Sequence, residues 1–144
     1  MCSDTPVLAI FDSSKEVTIQ CDASSFGLGA ALLQEGRPVA FTSRALSATE
    51  RKYVQLVKET LAIVHACHKF HYYIFGRPVK VESDHKPLQT IFTKPILSAP
   101  PSLQTYLLRL QLYDLQVVYK KGTELLLGDT LSHAVSPHLS LIHI

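Results

Sequence analysis

The chain predicts an α/β fold: a five-stranded mixed sheet flanked by helices. Three features point to it. Three strand-like segments follow one another through tight turns, a long amphipathic helix comes next, and two further alternating segments flank a second amphipathic helix. The 144 residues, 47% hydrophobic and 18% charged, suit one globular domain whose core needs no metal or disulfide staple. This composition excludes disorder, collagen and coiled coil. No apolar run approaches the roughly 20 residues of a membrane-spanning helix, and Met1-Cys2-Ser3-Asp4 opens without the regions of a secretory signal. No membrane partner is expected. A net charge of +2 does not by itself announce a nucleic-acid binder. Cys2, Cys21 and Cys67 form no CxxC. With Cys21 and Cys67 in apolar runs, they read as reduced thiols in an intracellular, cytoplasmic setting.

Residues 1–16 carry a short apolar piece, Pro6 to Phe11, that reads as the remnant of a connection from something upstream. Val17 to Asp22 alternates with the period of a half-buried strand, Ala23-Ser24-Ser25 allows a turn, and Phe26 to Gln34 is a second strand. Gln34-Glu35-Gly36 turns the chain into a third strand, Arg37 to Ser43, with Val39 and Phe41 expected on one face. Ser47-Ala48-Thr49-Glu50 fits a capping box at the head of the long helix. Tyr53, Leu56, Val57, Leu61, Val64 and Cys67 then recur at helical spacing, ending before Gly76 and Pro78. Val79 to Asp84 is a fourth strand, and the helical crossover predicts that it runs parallel to the first. Lys94 to Pro101 reads as a linker. Leu103, Tyr106, Leu107 and Leu110 mark a helix with Pro101 in its first turn, and Leu115 to Tyr119 is the fifth strand. A short last helix is expected near Asp129. The main domain is placed at 17–135, with 136–144 as an unstructured tail.

Acidic residues stand at the ends of unusually apolar segments. Asp22 ends the first strand and Asp84 the fourth, so parallel neighbours would bring both carboxylates to one sheet edge. Glu59 flanks the apolar stripe of the long helix, and Asp129 follows Leu125-Leu126-Leu127-Gly128. Each acid alone has an ordinary explanation: a turn-starting Asp, a solvated helix Glu, an N-cap. Together, four carboxylates would repel unless hard divalent cations neutralised them, which selects Mg²⁺ or Mn²⁺. Two such ions about 3.5–4 Å apart suit in-line phosphoryl displacement. His65, His68 and His71 suggest zinc instead, but the outer two diverge by about 120° around a helix and no second ligand pair accompanies them. Gly27-Leu28-Gly29 lacks the third glycine of a dinucleotide loop.

Five runs occur in a telling order: Cys21-Asp22-Ala23-Ser24, Gly27-Leu28-Gly29-Ala30, Lys58-Glu59-Thr60-Leu61-Ala62-Ile63-Val64, Ser83-Asp84-His85-Lys86-Pro87-Leu88 and Gly128-Asp129-Thr130-Leu131-Ser132. As a set they resemble the ribonuclease H domain of gypsy-type LTR-retrotransposon Pol polyproteins, over about residues 5–135. The resemblance implies a ribonuclease H-like fold and Mg²⁺-dependent cleavage of RNA in an RNA·DNA hybrid, with two ions and Mn²⁺ as a substitute. It implies a reverse transcriptase domain upstream in the same polyprotein. It assigns Asp22, Glu59, Asp84 and Asp129 as metal-binding catalytic acids, Ser24 and Ser25 as candidate RNA contacts, and Lys86, Arg109 and Lys121 as candidate phosphate contacts. The chain departs from the family pattern at His133, at Gly128, and at Ser102 and Thr105, where basic residues are usual. These departures bear on phosphate binding more than on metal binding. The alternative reading is a decayed copy that keeps the fold beside a polymerase. The last six residues, Leu139 to Ile144, match nothing in the family and read as foreign sequence.

Overall fold

The computed structural model describes residues 8–125. The helix expected near Asp129 and the tail lie outside them. Strands β1 (Val17–Ala23), β2 (Gly27–Gln34) and β3 (Arg37–Ala45) form an antiparallel meander. Glu35 and Gly36 both adopt left-handed backbone, φ 52° and 75°, as a two-residue hairpin loop demands. Strand β4 (Pro78–Ser83) pairs in parallel with β1, and β5 (Asp114–Tyr119) in parallel with β4, giving the order β3-β2-β1-β4-β5. The expected mixed sheet and the parallel β1–β4 pair are present.

Val39 and Phe41 do not share a face. The register passes from Leu32↔Ala40 to Leu33↔Pro38, leaving Val39 as the extra residue of a β-bulge. An extra residue reverses the alternation, so Val39 joins the main core while Phe41 packs with Ala31 and Leu33 in a separate cluster.

The capping box forms but does not open the long helix. Ser47 N–H donates to Glu50 Oε1 at 2.9 Å, and Glu50 N–H donates to Ser47 Oγ at 3.1 Å. What it caps is a single 3₁₀ turn, Glu50–Lys52. Tyr53 and Val54 are then extended, and helix α1 starts afresh at Gln55 and runs to Lys69. Phe70 interrupts it before the one-turn α2 (His71–Ile74). A short helix α3 (Lys86–Ile91), for which the spacing gives no expectation, begins two residues after Asp84. Pro87 fits its first turn and Leu88 is buried. A six-residue helix offers too few periods to be read from spacing. The linker holds a 3₁₀ turn, Ile96–Ser98, before α4 (Pro101–Leu110).

Helix α1 lies across β1 and β2. Ala62, Ile63 and Ala66 on the helix meet Ile19, Ala30, Leu32 and Val81 from the sheet, all fully buried. Helix α4 packs against α1 through Leu103, Leu107 and Val57. The N-terminal piece joins the same body: Ala9 N–H donates to Pro38 C=O at 2.8 Å, and Phe11 packs on Tyr73 with ring centroids 4.8 Å apart.

Candidate metal centre

Strand register brings the first two acids together. The β1–β4 ladder ends at Gln20↔Glu82, and two residues further along each strand stand Asp22 and Asp84. Asp22 is the penultimate residue of β1 and half-buried. Asp84 follows the last residue of β4 and is exposed. Glu59 comes from the second turn of α1, where the helix crosses β1, and is only 2% exposed. One carboxylate oxygen from each of Asp22, Glu59 and Asp84 lies within 4.8 Å of the other two. Asp129, the fourth acid expected here, lies outside the described residues, as do Gly128 and His133.

Few donors reach these carboxylates. Asp22 Oδ1 accepts the Ala23 N–H at 2.9 Å. Glu59 Oε2 accepts from Gln55 Nε2 at 3.2 Å, whereas Glu59 Oε1 is buried with no hydrogen-bond partner. Such an orphaned oxygen costs about 1–3 kcal/mol unless something absent from the bare protein satisfies it. Burial first, then the Asp84 charge, pushes the Asp22 carboxyl up to about 6, against the pull of the Ala23 N–H. Burial, then the Asp22 charge, pushes Glu59 up to about 8, against the Gln55 amide and the Ala23 N–H. Metal-free at neutral pH, the site therefore holds protons on some of these oxygens to relieve repulsion. Three converging carboxylates, one of them with a buried, partnerless oxygen, suit Mg²⁺ or Mn²⁺.

A loop closes the other side. After β5, Lys120 N–H donates to Ser83 C=O at 2.9 Å, and the 3₁₀ turn Gly122–Glu124 folds against Asp84. A Cβ on Gly122 would stand 2.8 Å from Asp84 Oδ2.

Four of the five candidate nucleic-acid residues cluster near these acids. Ser24 and Ser25 are exposed in the β1–β2 turn, just after Asp22. Ser24 Oγ accepts the Phe26 and Gly27 N–H groups at 3.2 and 3.0 Å, so this hydroxyl shapes the turn. Lys86 opens α3 two residues after Asp84, its ammonium 5.8 Å from the centre of the Tyr119 ring, and Lys121 precedes Gly122. Arg109 belongs to a different element, the last turn of α4. Gln55 and Gly122 were not singled out in the sequence. Gln55 stands at i−4 from Glu59, a spacing that puts helical side chains side by side. For Gly122 no sequence signal exists.

His65, His68 and His71 make no metal cluster. Among the described residues, the only metal-capable group of three or more is the carboxylate trio. His65 is buried with Nε2 3.1 Å from Thr42 Oγ1, and His71 Nδ1 is 2.6 Å from the Tyr113 hydroxyl.

A family model described as "RNase H-like domain found in reverse transcriptase" matches residues 12–113. This chain belongs to that family. The RNase H-like domain is 38% identical, over 128 residues, to the Retrovirus-related Pol polyprotein from transposon 297 of Drosophila melanogaster, a match covering 88% of this chain and 12% of that protein. It is 32% identical to the corresponding polyprotein from transposon gypsy of the same organism, covering 92% and 13% respectively. The chain thus spans about an eighth of the length of these relatives. Solved structures share the fold. LC11-RNase H1, in complex with RNA/DNA hybrid, superposes with a TM-score of 0.63 at 15% identity, covering 84% of this chain and 100% of that one. The foamy viral protease-reverse transcriptase, in complex with RNA/DNA hybrid, gives 0.65 at 23% identity, covering 79% and 16%. Among the described residues of the RNase H-like domain, no helix is long and apolar enough to cross a membrane.

Proposed function

We propose that this RNase H-like domain is a Mg²⁺-dependent endonuclease that cuts the RNA strand of RNA·DNA hybrids. We place it within a retrotransposon Pol polyprotein, next to an upstream reverse transcriptase domain and in an intracellular setting, which suits the two buried, unpaired thiols Cys21 and Cys67. The observation that carries this reading is the convergence of Asp22, Glu59 and Asp84, with a partnerless buried oxygen on Glu59, in a chain of this family. The hybrid-bound state of two proteins with the same fold supports the substrate class.

Asp22, Glu59 and Asp84 would hold the cations, with Asp129 as the fourth acid and Mn²⁺ able to replace Mg²⁺. Two such ions, when bound, would supply Lewis-acid stabilisation for charge developing on the phosphoryl oxygens. The carboxylates themselves must shed their protons to bind, and the raised values of Asp22 and Glu59 delay this until near-neutral pH. Ser24 and Ser25, exposed just after Asp22, are the proposed contacts to the RNA backbone. Lys86, Arg109 and Lys121 offer cationic contacts to phosphates, so hybrid affinity should fall as salt rises.

The test is cleavage of a hybrid with one labelled strand. The purified chain with Mg²⁺ is expected to cut the RNA and spare the DNA, and Asp84→Asn to abolish cutting with the circular dichroism spectrum unchanged. Cutting by Asp84→Asn at the parent's rate would overturn the assignment. No cutting by the parent with either Mg²⁺ or Mn²⁺ would favour the decayed copy.

A further inference from the structure

Gln55 Nε2 donates to two acceptors at once: Ala23 C=O at 2.9 Å and Glu59 Oε2 at 3.2 Å. The first belongs to the residue after Asp22, at the end of β1. The second belongs to the one acid supplied by a helix. A single amide group therefore ties the strand that carries Asp22 to the carboxylate of Glu59. It also engages one Glu59 oxygen and leaves the other, Oε1, buried and without a partner. Gln55 is itself solvent-exposed and is the first residue of α1, whose N-cap Val54 offers no side-chain cap. The side chain is not needed to fill the core or to cap the helix.

We infer that Gln55 is a positioning residue of the metal centre: its amide fixes the orientation of the Glu59 carboxylate relative to Asp22, so that the unpartnered oxygen is presented to a divalent cation. This rests on the reading of the carboxylates as metal ligands. Glu59 reaches the cluster from a helix that packs across the strands. Without the amide, its carboxylate would lose the side-chain donor that fixes its terminal torsion and keep only the pull of the Ala23 N–H. Residues that hydrogen-bond metal ligands from behind typically change metal affinity by about 10–100-fold when removed.

The experiment compares the full chain with Gln55→Met, of similar length but with no donor, and Gln55→Asn, whose amide is too short to span both acceptors. Mg²⁺ binding is measured by calorimetry without nucleic acid, and the unfolding midpoint is measured in EDTA. The expected result is a Mg²⁺ dissociation constant raised about tenfold in both variants, with the midpoint in EDTA within about two degrees of the parent's, since an exposed side chain is lost. Hybrid cleavage is expected to need correspondingly more Mg²⁺ to reach half its maximum, with the KM for hybrid unmoved. A Mg²⁺ constant within twofold of the parent's in both variants would overturn the positioning role while leaving the metal centre standing. A lowered midpoint with unchanged Mg²⁺ affinity would reduce Gln55 to a structural tie and overturn it as well. A parent chain that binds no Mg²⁺ would remove the metal centre, and the role of Gln55 with it.

Discussion

Gly122 shows how much a single hydrogen atom in place of a methyl group can decide. Its backbone passes so close to Asp84 that a Cβ would meet Oδ2 at 2.8 Å, inside ordinary contact distance. A methyl group there would force the Asp84 carboxylate, which shares a cluster with Asp22 and Glu59, or the loop itself to shift. Gly122→Ala is therefore expected to weaken Mg²⁺ binding and to cut hybrid cleavage at least tenfold. Fold stability should fall by no more than about 1 kcal/mol, because the residue lies in an exposed turn outside the core. A calorimetric Mg²⁺ titration beside a thermal melt separates the two effects, and an unchanged titration would show that the loop yields instead of the acid. Asp22 and Asp84 are legible in the sequence as charges at the ends of apolar segments, and Glu59 as one beside the apolar stripe of a helix. The residues that hold them were not. Gln55 reads as an ordinary polar helix residue until its two acceptors are located, and a glycine in a turn carries no mark of what its missing side chain would strike.

Local pattern and tertiary direction part company at the level of elements. The Ser47–Glu50 capping box was readable and does form, yet it closes one 3₁₀ turn while α1 begins at Gln55. A capping motif specifies which backbone donors are satisfied, not how far the helix continues. Likewise the β3 alternation misplaced Phe41, because a bulge is a register event between two strands and leaves no trace in either alone. Helix α3 escaped because it is shorter than two turns. The meander, the parallel β1–β4 pair, α4 and the core of α1 were accessible because alternation and helical spacing persist there over enough residues to be distinguished. Glu50 also receives both guanidinium nitrogens of Arg44, at 2.8 and 3.1 Å, linking the end of β3 to the turn before α1. The Arg44 guanidinium, assisted by Ser47, holds the Glu50 carboxyl down to about 2. A carboxyl depressed in the folded state stabilises above its unfolded value of 4.5 and ceases to do so as pH falls through about 2. Glu50→Ala is thus expected to cost about 1–2 kcal/mol at pH 7, from the lost cap and ion pair, and almost nothing at pH 2. Chemical denaturation at the two values measures it, and an equal loss at both would show that packing, not charge, is responsible.

Over the whole molecule, ionisable groups buried on opposite sides of the sequence–function divide give stability a shape in pH. His65 is held neutral between β3 and α1, and burial, assisted by the Arg44 charge, pushes its value down to about 4 from 6.5. The folded protein then binds fewer protons than the unfolded chain between these values, so this residue makes stability rise with pH across pH 4–6.5. Asp22 and Glu59 act in the opposite sense. Raised to about 6 and about 8, they retain protons that the unfolded chain has released, so they make stability fall as pH climbs from about 4 to about 8. Below pH 6.5 the two trends oppose each other. Above it His65 is neutral in both states, and Glu59 alone of the three still titrates. The metal-free protein is therefore expected to lose stability from pH 6.5 to 8, by a midpoint decrease of a few degrees, on the scale of about 4–8 °C per kcal/mol for a domain of roughly 100 residues. Saturating Mg²⁺ should remove that slope, because a cation stabilises the charged carboxylates in the folded state alone, and its stabilising effect should be larger at pH 8 than at pH 5, where protons compete for the same oxygens. Melting curves with EDTA and with Mg²⁺ across this range test the point, and Glu59→Gln should be flat in both. A metal-free midpoint that rises from pH 6.5 to 8 would mean that Glu59 is already ionised in the folded protein and that burial beside Asp22 does not hold a proton on it.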